Sequence, residues 1–197
     1  MTDFDIPSES THVEIEVKKS RFIAYIAHTS GVESAKQFLA ELKTQYPDAR
    51  HHCYAHIAGH PNDSNQYGFS DDNEPSGTAG MPIFTHLKHS GLGETTIVVV
   101  RYFGGTKLGT GGLAIAYGDA AGEALKTVAT KRHITKRQLK LTMSFEQESD
   151  VRRALASAQG VVLSVAYDQT VNMIIEVPTD VDLKLPYSVE VSTVSAI

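Results

Sequence analysis

Cysteine is almost absent from the sequence, since Cys53 is the only one among 197 residues. A single cysteine cannot form an intrachain disulfide, and a chain of this length with 41% hydrophobic residues can bury a core without a disulfide or metal staple. Apolar runs are short, and none approaches the ~20 residues of a membrane span. The opening residues, MTDFDIPSES, are acidic and polar, unlike a secretory signal. We therefore expect a cytoplasmic protein without a membrane partner.

An excess of positive charge is also lacking, because the formal net charge is −5. This balance argues against strong nonspecific binding of nucleic acid by the whole molecule. The charge is uneven, however: the segment KRHITKRQLK contains six basic residues, counting its histidine, and no acid. Lys131, Arg132, Lys136 and Arg137 are therefore candidates for electrostatic attraction to RNA.

The spacing of apolar residues over the first 130 positions predicts alternating strands and helices. The predicted elements are strands at 12–17 and 21–28, a helix at 31–46, a strand at 50–59, a helix at 82–89, a strand at 96–100, and a helix that buries Leu113, Ala116, Tyr117, Ala120, Ala124 and Val128. The strand at 96–100 is uniformly apolar, which predicts that it is covered on both faces. Residues 61–80 are polar and rich in turn formers, which predicts a long functional loop.

The pattern restarts after a basic linker at 131–137. The predicted order is a strand at 138–145, a helix at 146–158, and strands at 161–167, 171–177 and 187–191. This order is close to the ferredoxin-like plan, although only TDVDLK is available for the second helix, which should be shortened to one or two turns. We predict an α+β fold with two domains, at residues 1–130 and 138–197.

The stretch RYFGGTKLGTGG, from Arg101 to Gly112, joins the apolar strand to the following helix. It fails as a P-loop because Thr110 stands where the lysine belongs, and it fails as a dinucleotide fingerprint because no second strand or acidic residue follows at the required distance. Two interpretations remain open. The backbone N–H groups, with Arg101 and Lys107, bind an anion such as a phosphate, or the glycines serve a tight turn packed on the sheet.

A second stretch, SDDNEPSGTAG, clusters three carboxylates at Asp71, Asp72 and Glu74. They could bind a metal or act as acid and base, they could recognise a partner, or they could favour the positive end of the next helix while Ser76 or Thr78 caps it.

Histidines and the cysteine cluster at positions 51–60, but side chains four residues apart on a strand lie ~13 Å apart, too far for one ion. We expect no metal site there. Cys53 is expected to be a buried strand residue rather than a nucleophile. The segment EVKKSRF places Lys18, Lys19 and Arg21 beside Phe22, which suits RNA or an ordinary charged edge strand equally.

These motifs, with KKSRFIAYIAHT and DARHHCYAHIAG, resemble the bacterial YigZ branch of the IMPACT family over nearly the whole chain. The resemblance implies an N-terminal βαβ sandwich like the second domain of ribosomal small-subunit protein five, with an uncommon left-handed crossover. It implies a ferredoxin-like C-terminal domain similar to the last domain of elongation factor G. The eukaryotic relatives look like regulators of translation that bind an activator of a stress kinase, whereas bacterial members have no established reaction.

By position, the family signature falls on Asp71, Asp72, Glu74, Pro75, Gly77, Thr78, Gly80, Arg101, Tyr102, Gly104, Gly105, Lys107, Gly109, Gly111 and Gly112. Asn73 stands where the family often has glycine, and asparagine also tolerates left-handed turns.

Three functional hypotheses follow. The first is a non-enzymatic protein that binds RNA or a ribosome-associated factor through the glycine loop and the basic residues, which include Lys19 and Arg21. The second is a hydrolase of a phosphoester or nucleotide that uses Asp71, Asp72 or Glu74. The third is a regulator that binds only a protein partner. The first hypothesis requires no catalytic residue, metal or cofactor.

Overall fold

The computed structural model describes residues 3–194 and divides them into two units, one of residues 4–133 and one that combines Asp3 with residues 134–194. Each unit contains both strands and helices, which confirms the predicted α+β fold in two domains. Within the described part of the chain, no helix has the length and apolar character needed to cross a membrane. The outermost residues of the predicted domains, 1–2 and 195–197, lie outside the described range.

The first unit is built around a five-stranded sheet. Its elements are β1 (Phe4–Pro7), β2 (Thr11–Val17), β3 (Ser20–His28), α1 (Gly31–Gln45), β4 (His51–Ile57), β5 (Tyr67–Ser70), α2 (Gly80–Ser90), β6 (Thr95–Tyr102), α3 (Gly109–Thr127) and β7 (Thr130–His133). The strand order is β2-β3-β6-β4-β5, and every neighbouring pair is antiparallel. The chain therefore passes from β3 through α1 to β4 across the position of β6. β1 and β7 form a separate antiparallel pair.

β6 is the central strand and is covered on both faces, as its uniform apolar character predicts. Ile97 and Val99 pack in the core formed with α2 and α3, whereas Val98 and Val100 pack with Leu42 of α1 on the other face. The predicted inward face of the helix after the glycine stretch is also confirmed, because all six of its named residues are buried. The sheet thus holds the end of β6 and the start of α3 in fixed places.

The predicted loop at residues 61–80 is only partly a loop. It contains a short 3-10 helix at Ser64–Gln66 and then β5, which pairs with β4. The prediction missed β5 because the strand is four residues long and contains Gly68. Phe69 stabilises it by stacking on Phe84 of α2, with 5.5 Å between ring centroids. The irregular part of the segment that carries the acidic motif is therefore residues 71–79.

The second unit contains β8 (Lys136–Met143), α4 (Glu148–Ser157), β9 (Val161–Tyr167), β10 (Val171–Pro178) and β11 (Glu190–Thr193). Its order, β11-β8-β10-β9 with antiparallel neighbours, is that of a ferredoxin-like sheet. The expected short second helix is not formed, because residues 179–189 contain no helix and Leu183 and Leu185 pack on the core from an irregular segment. The last strand begins after Val189, later than predicted, since a turn closes from Val189 N to Pro186 O at 3.1 Å.

The predicted linker at 131–137 consists mostly of strand. Lys131 and Arg132 lie on β7, and Lys136 and Arg137 begin β8. Arg132 lies 3.4 Å from Asp5 Oδ1.

The turn between β2 and β3 packs directly on the glycine stretch. Lys18 and Lys19 form a two-residue turn with φ values of 47° and 65°, in the left-handed region that non-glycine residues seldom adopt. Gly104 lies against this turn and donates its N–H to Ser20 Oγ at 3.1 Å. A Cβ atom at Gly104 would lie 2.0 Å from the Lys19 carbonyl carbon. Only glycine fits this contact between two backbones.

We predict that Gly104→Ala lowers the free energy of unfolding by about 1–3 kcal/mol, because the new methyl group must displace backbone rather than a flexible side chain. Gly111→Ala is the matched control, since a Cβ there meets no atom within 4 Å. In the first turn of α3 it should leave stability unchanged or raise it by up to about 1 kcal/mol. Urea denaturation of both variants tests this, and equal stabilities would contradict the assigned packing.

Candidate functional site

The acidic and glycine-rich stretches meet at a buried ion pair. Arg101, near the end of β6, places Nη1 2.5 Å from Glu74 Oε1, and the two side chains are only 7% and 4% exposed. The same carboxylate oxygen accepts a hydrogen bond from the hydroxyl of Tyr117 at 2.8 Å. Burial raises the pKa of Tyr117, so its hydroxyl keeps its proton and serves as a donor. Three segments far apart in the chain are therefore joined at one carboxylate.

Arg101 is enclosed by aromatic rings as well as by Glu74. Its guanidinium carbon lies 5.4 Å from the ring centroid of Phe22 and 5.7 Å from that of Phe103, both distances typical of cation–π contacts. Its Nε atom is buried and has no hydrogen-bond partner among residues 3–194. The charge proposed from sequence to bind an anion is thus already balanced by an internal carboxylate.

Asp71 organises the loop before α2. Its Oδ1 accepts from the N–H groups of Ala79 and Gly80 at 2.9 and 2.8 Å, and its Oδ2 accepts from Gly77 N at 2.8 Å. Burial by itself would raise the pKa of Asp71, but these three backbone donors outweigh it and hold the pKa below its ordinary value. The capping role expected of Ser76 or Thr78 therefore belongs to Asp71, and the Thr78 hydroxyl instead donates to Pro75 O at 2.7 Å.

The next two residues turn the chain back toward β4. Asp72 and Asn73 have φ values of 39° and 69°, so asparagine occupies a left-handed position that suits the glycine of relatives. Asp72 Oδ2 accepts from His52 N at 2.7 Å. Gly77, with φ 78°, continues the turn, and Gly80 lies so close to Ser70 that a Cβ would approach its backbone to 2.8 Å. All three carboxylates of the acidic stretch thus have structural partners.

The glycines of the stretch fall into two groups, one in the turn that follows β6 and one in the first turn of α3. Gly105 and Gly109 have φ values of 87° and 75°, which side chains disfavour. Gly111 and Gly112 lie in the first turn of α3, and no side chain caps that turn. The tight-turn interpretation therefore holds for Gly104, Gly105 and Gly109. Anion binding by the backbone N–H groups at the start of α3 remains a prediction.

A cleft of about 420 Å³ opens between the two stretches. Its walls are formed by Arg50, His51, Glu74, Pro75, Arg101, Phe103, Lys107, Leu108, Gly109, Thr110 and Leu113. Arg50 and Lys107 are exposed, and neither has a carboxylate partner among residues 3–194. Phe103 is 54% exposed, an unusual setting for a large aromatic ring. The cleft thus combines two uncompensated cations, a ring face and the start of α3.

Sequence reasoning missed three wall residues, Arg50, His51 and Phe103. Arg50 and His51 precede and begin β4, which lies beside β6, and pairing places His51 opposite Arg101. No short-range pattern reports that pairing. Phe103 carried a weak signal, because an aromatic residue directly before paired glycines suggests an exposed ring at a turn.

Other residues named from sequence do not line the cleft. Arg21 pairs with Glu14 through two contacts of 2.8 and 2.9 Å and lies over the ring of Tyr102. Lys136 lies 3.0 Å from Glu176, and Arg137 donates to Val181 O at 3.2 Å. Lys19, Lys131 and Arg132 are likewise outside the wall.

The histidine and cysteine cluster lies on or beside β4 and is largely buried. Burial raises the pKa of the Cys53 thiol, and Cys53 Sγ donates to Asp71 O at 3.0 Å, in keeping with the predicted buried strand residue. Burial also lowers the pKa of His52 and His56. Within residues 3–194 no group of three or more His, Cys, Asp and Glu side chains is placed to bind a metal ion.

We predict that Asp71→Asn lowers the free energy of unfolding by about 1–2 kcal/mol at pH 7, because an amide nitrogen cannot accept from a backbone N–H. The folded-state pKa is below the unfolded value of about 3.9, so the stabilisation is fully present above about pH 4 and is lost as the pH falls through the folded value. Urea denaturation at neutral and acidic pH measures this. Asp48→Asn, at an exposed position without such bonds, should show no effect, and an Asp71→Asn deficit that persists undiminished in acid would contradict the assignment.

We predict that Glu74→Gln lowers the free energy of unfolding by about 3–5 kcal/mol, because it leaves the buried guanidinium of Arg101 without a counter-charge. Tyr117→Phe removes only a neutral donor to the same oxygen and should cost about 1–3 kcal/mol. Thermal or urea unfolding of the two variants separates the effect of the lost charge from the effect of the lost hydrogen bond. Equal losses in the two variants would show that the ion pair contributes nothing beyond hydrogen bonding.

Comparisons with known proteins match most of the chain to one family. The sequence matches the Impact N-terminal domain over residues 18–125 and a domain of unknown function, DUF1949, over residues 141–182. It is 44% identical over 178 residues to the IMPACT family member YigZ of Escherichia coli K12, which covers 90% of this chain and 87% of that protein. It is 35% identical over 168 residues to the IMPACT family member YvyE of Bacillus subtilis, covering 85% and 76%. A solved structure titled as a hypothetical protein has a TM-score of 0.73 and 44% identity, and the match covers 90% of this chain and 86% of that one. The chain belongs to the IMPACT family, in its YigZ branch.

Proposed function

We propose that the chain is a non-enzymatic RNA-binding protein of the translation machinery and that the cleft between the acidic and glycine-rich stretches is its binding site. The observation that carries the proposal is the composition of the cleft wall. Arg50 and Lys107, two cations with no carboxylate partner among residues 3–194, line the cleft with the exposed ring of Phe103 and the start of α3, which no side chain caps. The link to translation rests on the resemblance to eukaryotic IMPACT proteins, and a cytoplasmic location follows from it.

The cationic part of the wall suits a phosphate. Arg50 and Lys107 contribute two positive charges, whereas Arg101 and Glu74 balance each other. The N–H groups at the start of α3 carry the partial positive charge of the helix dipole, and Gly111 has open space beside it. A phosphodiester would therefore meet charge from the side chains and hydrogen-bond donors from the backbone.

The aromatic part of the wall suits a base. Phe103 presents half of its surface to solvent, and the Arg101 guanidinium lies over the ring. An unstacked base on such a ring gains about 1–3 kcal/mol. Stacking of this kind needs a single-stranded nucleic acid, whose bases are accessible.

The carboxylates favour binding over hydrolysis. Asp71 accepts three backbone hydrogen bonds, Asp72 accepts from His52 N, and Glu74 is paired with Arg101. A general base or metal ligand must offer a lone pair to the reacting group, whereas Asp71 and Asp72 accept backbone hydrogen bonds and the charge of Glu74 is balanced by Arg101.

We expect Arg50→Ala/Lys107→Ala to weaken binding of a single-stranded RNA and to reduce its salt dependence. Each phosphate neutralised on a single strand contributes about 0.7 to the slope of log affinity against log salt, so removal of two contacts should lower the slope by about 1.4. Fluorescence anisotropy between about 50 and 200 mM salt measures this, with co-sedimentation on ribosomes as a second readout.

The matched control is Lys36→Ala/Lys126→Ala, which removes the same charge from positions outside the cleft. It should leave the slope close to that of the wild type. Equal effects of the two double variants would show that only the overall charge matters. Absence of RNA and ribosome binding by the wild-type protein would exclude the proposal and leave a protein partner as the better candidate.

A further inference from the structure

His51 presents a hydrogen-bond acceptor of fixed identity to the cleft. Its Nδ1 atom lies 2.9 Å from the backbone oxygen of Asp72. A carbonyl oxygen only accepts, so Nδ1 must carry the hydrogen, and in the neutral ring Nε2 carries the lone pair. His51 lines the cleft, and Nε2 makes no hydrogen bond to another residue of the described chain.

A second acceptor lies beside it. His51 Nε2 is 3.8 Å from Glu74 Oε1, too far for a hydrogen bond. Arg101 and Tyr117 both donate to Oε1, whereas the other oxygen of Glu74 has no hydrogen-bond partner among residues 3–194. His51 Nε2 therefore offers a lone pair at this part of the wall, in contrast to the cationic part formed by Arg50 and Lys107.

A ligand that uses both parts of the wall supplies a hydrogen-bond donor as well as a phosphate. In RNA the ribose 2′-hydroxyl is such a donor, and it lies one sugar away from the phosphate, whereas DNA has no group at that position. Bases also carry donors, but uracil has no exocyclic amino group, and its ring N3–H is the same in the 2′-deoxy and 2′-O-methyl analogues. A comparison of oligouridine with these analogues therefore isolates the 2′ donor.

We propose that the cleft selects ribose over deoxyribose and that His51 Nε2 accepts the hydrogen bond of the 2′-hydroxyl. This inference rests on the proposed RNA-binding function and specifies its ligand. His51 acts here as a specificity-determining residue, and the acceptor is oriented by the Asp72 carbonyl at the left-handed turn. The acidic stretch then contributes to recognition through its backbone.

The test compares three oligonucleotides of about ten nucleotides with the wild-type protein: oligouridine, its 2′-deoxy analogue and its 2′-O-methyl analogue. All three share base and charge, and only the first has the 2′ donor. Oligouridine should bind about five- to tenfold tighter than either analogue, the range expected for one neutral hydrogen bond to an otherwise unpaired group. Fluorescence anisotropy at fixed salt gives the three affinities.

A pair of variants assigns the preference to the residue. His51→Phe should reduce the ratio of oligouridine to deoxy affinity to about one, because the ring remains and the acceptor is lost. His89→Phe, at an exposed position on α2 outside the cleft, should retain the wild-type ratio.

The outcomes separate the two proposals. Equal wild-type affinities for all three oligonucleotides would overturn the ribose inference and leave nucleic-acid binding in place, and a preference for 2′-O-methyl over deoxy would do the same. Absence of binding to all three would overturn both proposals. If His51→Phe fails to fold, as circular dichroism would show, the wild-type comparison alone decides.

Discussion

The ion pair between Arg101 and Glu74 is the interaction on which the rest of the N-terminal unit depends. Removing two charges from water carries a desolvation penalty of several kcal/mol per ion, which only close geometry and further hydrogen bonds offset. Tyr117 supplies one such bond, and the rings of Phe22 and Phe103 enclose the guanidinium. Since the partners come from a strand end, a loop and a helix, the pair forms only when all three are correctly placed. The cleft is a consequence of that placement.

The division of charge around the pair explains how an acidic chain can offer a cationic surface. The net charge of −5 is a sum over the whole chain, so it does not report the charge of any one surface. At the cleft the balance differs, because the one acidic wall residue, Glu74, is neutralised by Arg101, and Arg50 and Lys107 are left in excess. Within a screening length of about 8–10 Å this local excess outweighs distant acids.

Periodic features of the fold could be predicted from sequence, and features that depend on pairing could not. The apolar run of β6 and the small-residue face of α3 extend over many residues, so their burial follows from local pattern. Asp71 caps a helix that begins nine residues later, whereas the local capping rule predicted Ser76 or Thr78. Strand β5 and the irregular segment at 179–189 escaped because a short strand and a short helix leave too few periods to count. The family motifs include residues of the cleft wall, but Arg50 and His51 join them only because β4, which begins at His51, pairs with β6.

The contact between Gly104 and the Lys18–Lys19 turn limits how far the glycine stretch can move. Two backbones in van der Waals contact, without an intervening side chain, cannot approach each other further, so the turn acts as a stop for one edge of the glycine stretch. The turn is held in place because it joins two paired strands, β2 and β3, and because its two lysines lie in the left-handed region. The contact therefore blocks movement of Gly104 toward the Lys18–Lys19 turn. The position of one wall of the cleft is thus set from outside the cleft, by residues more than eighty positions earlier in the chain.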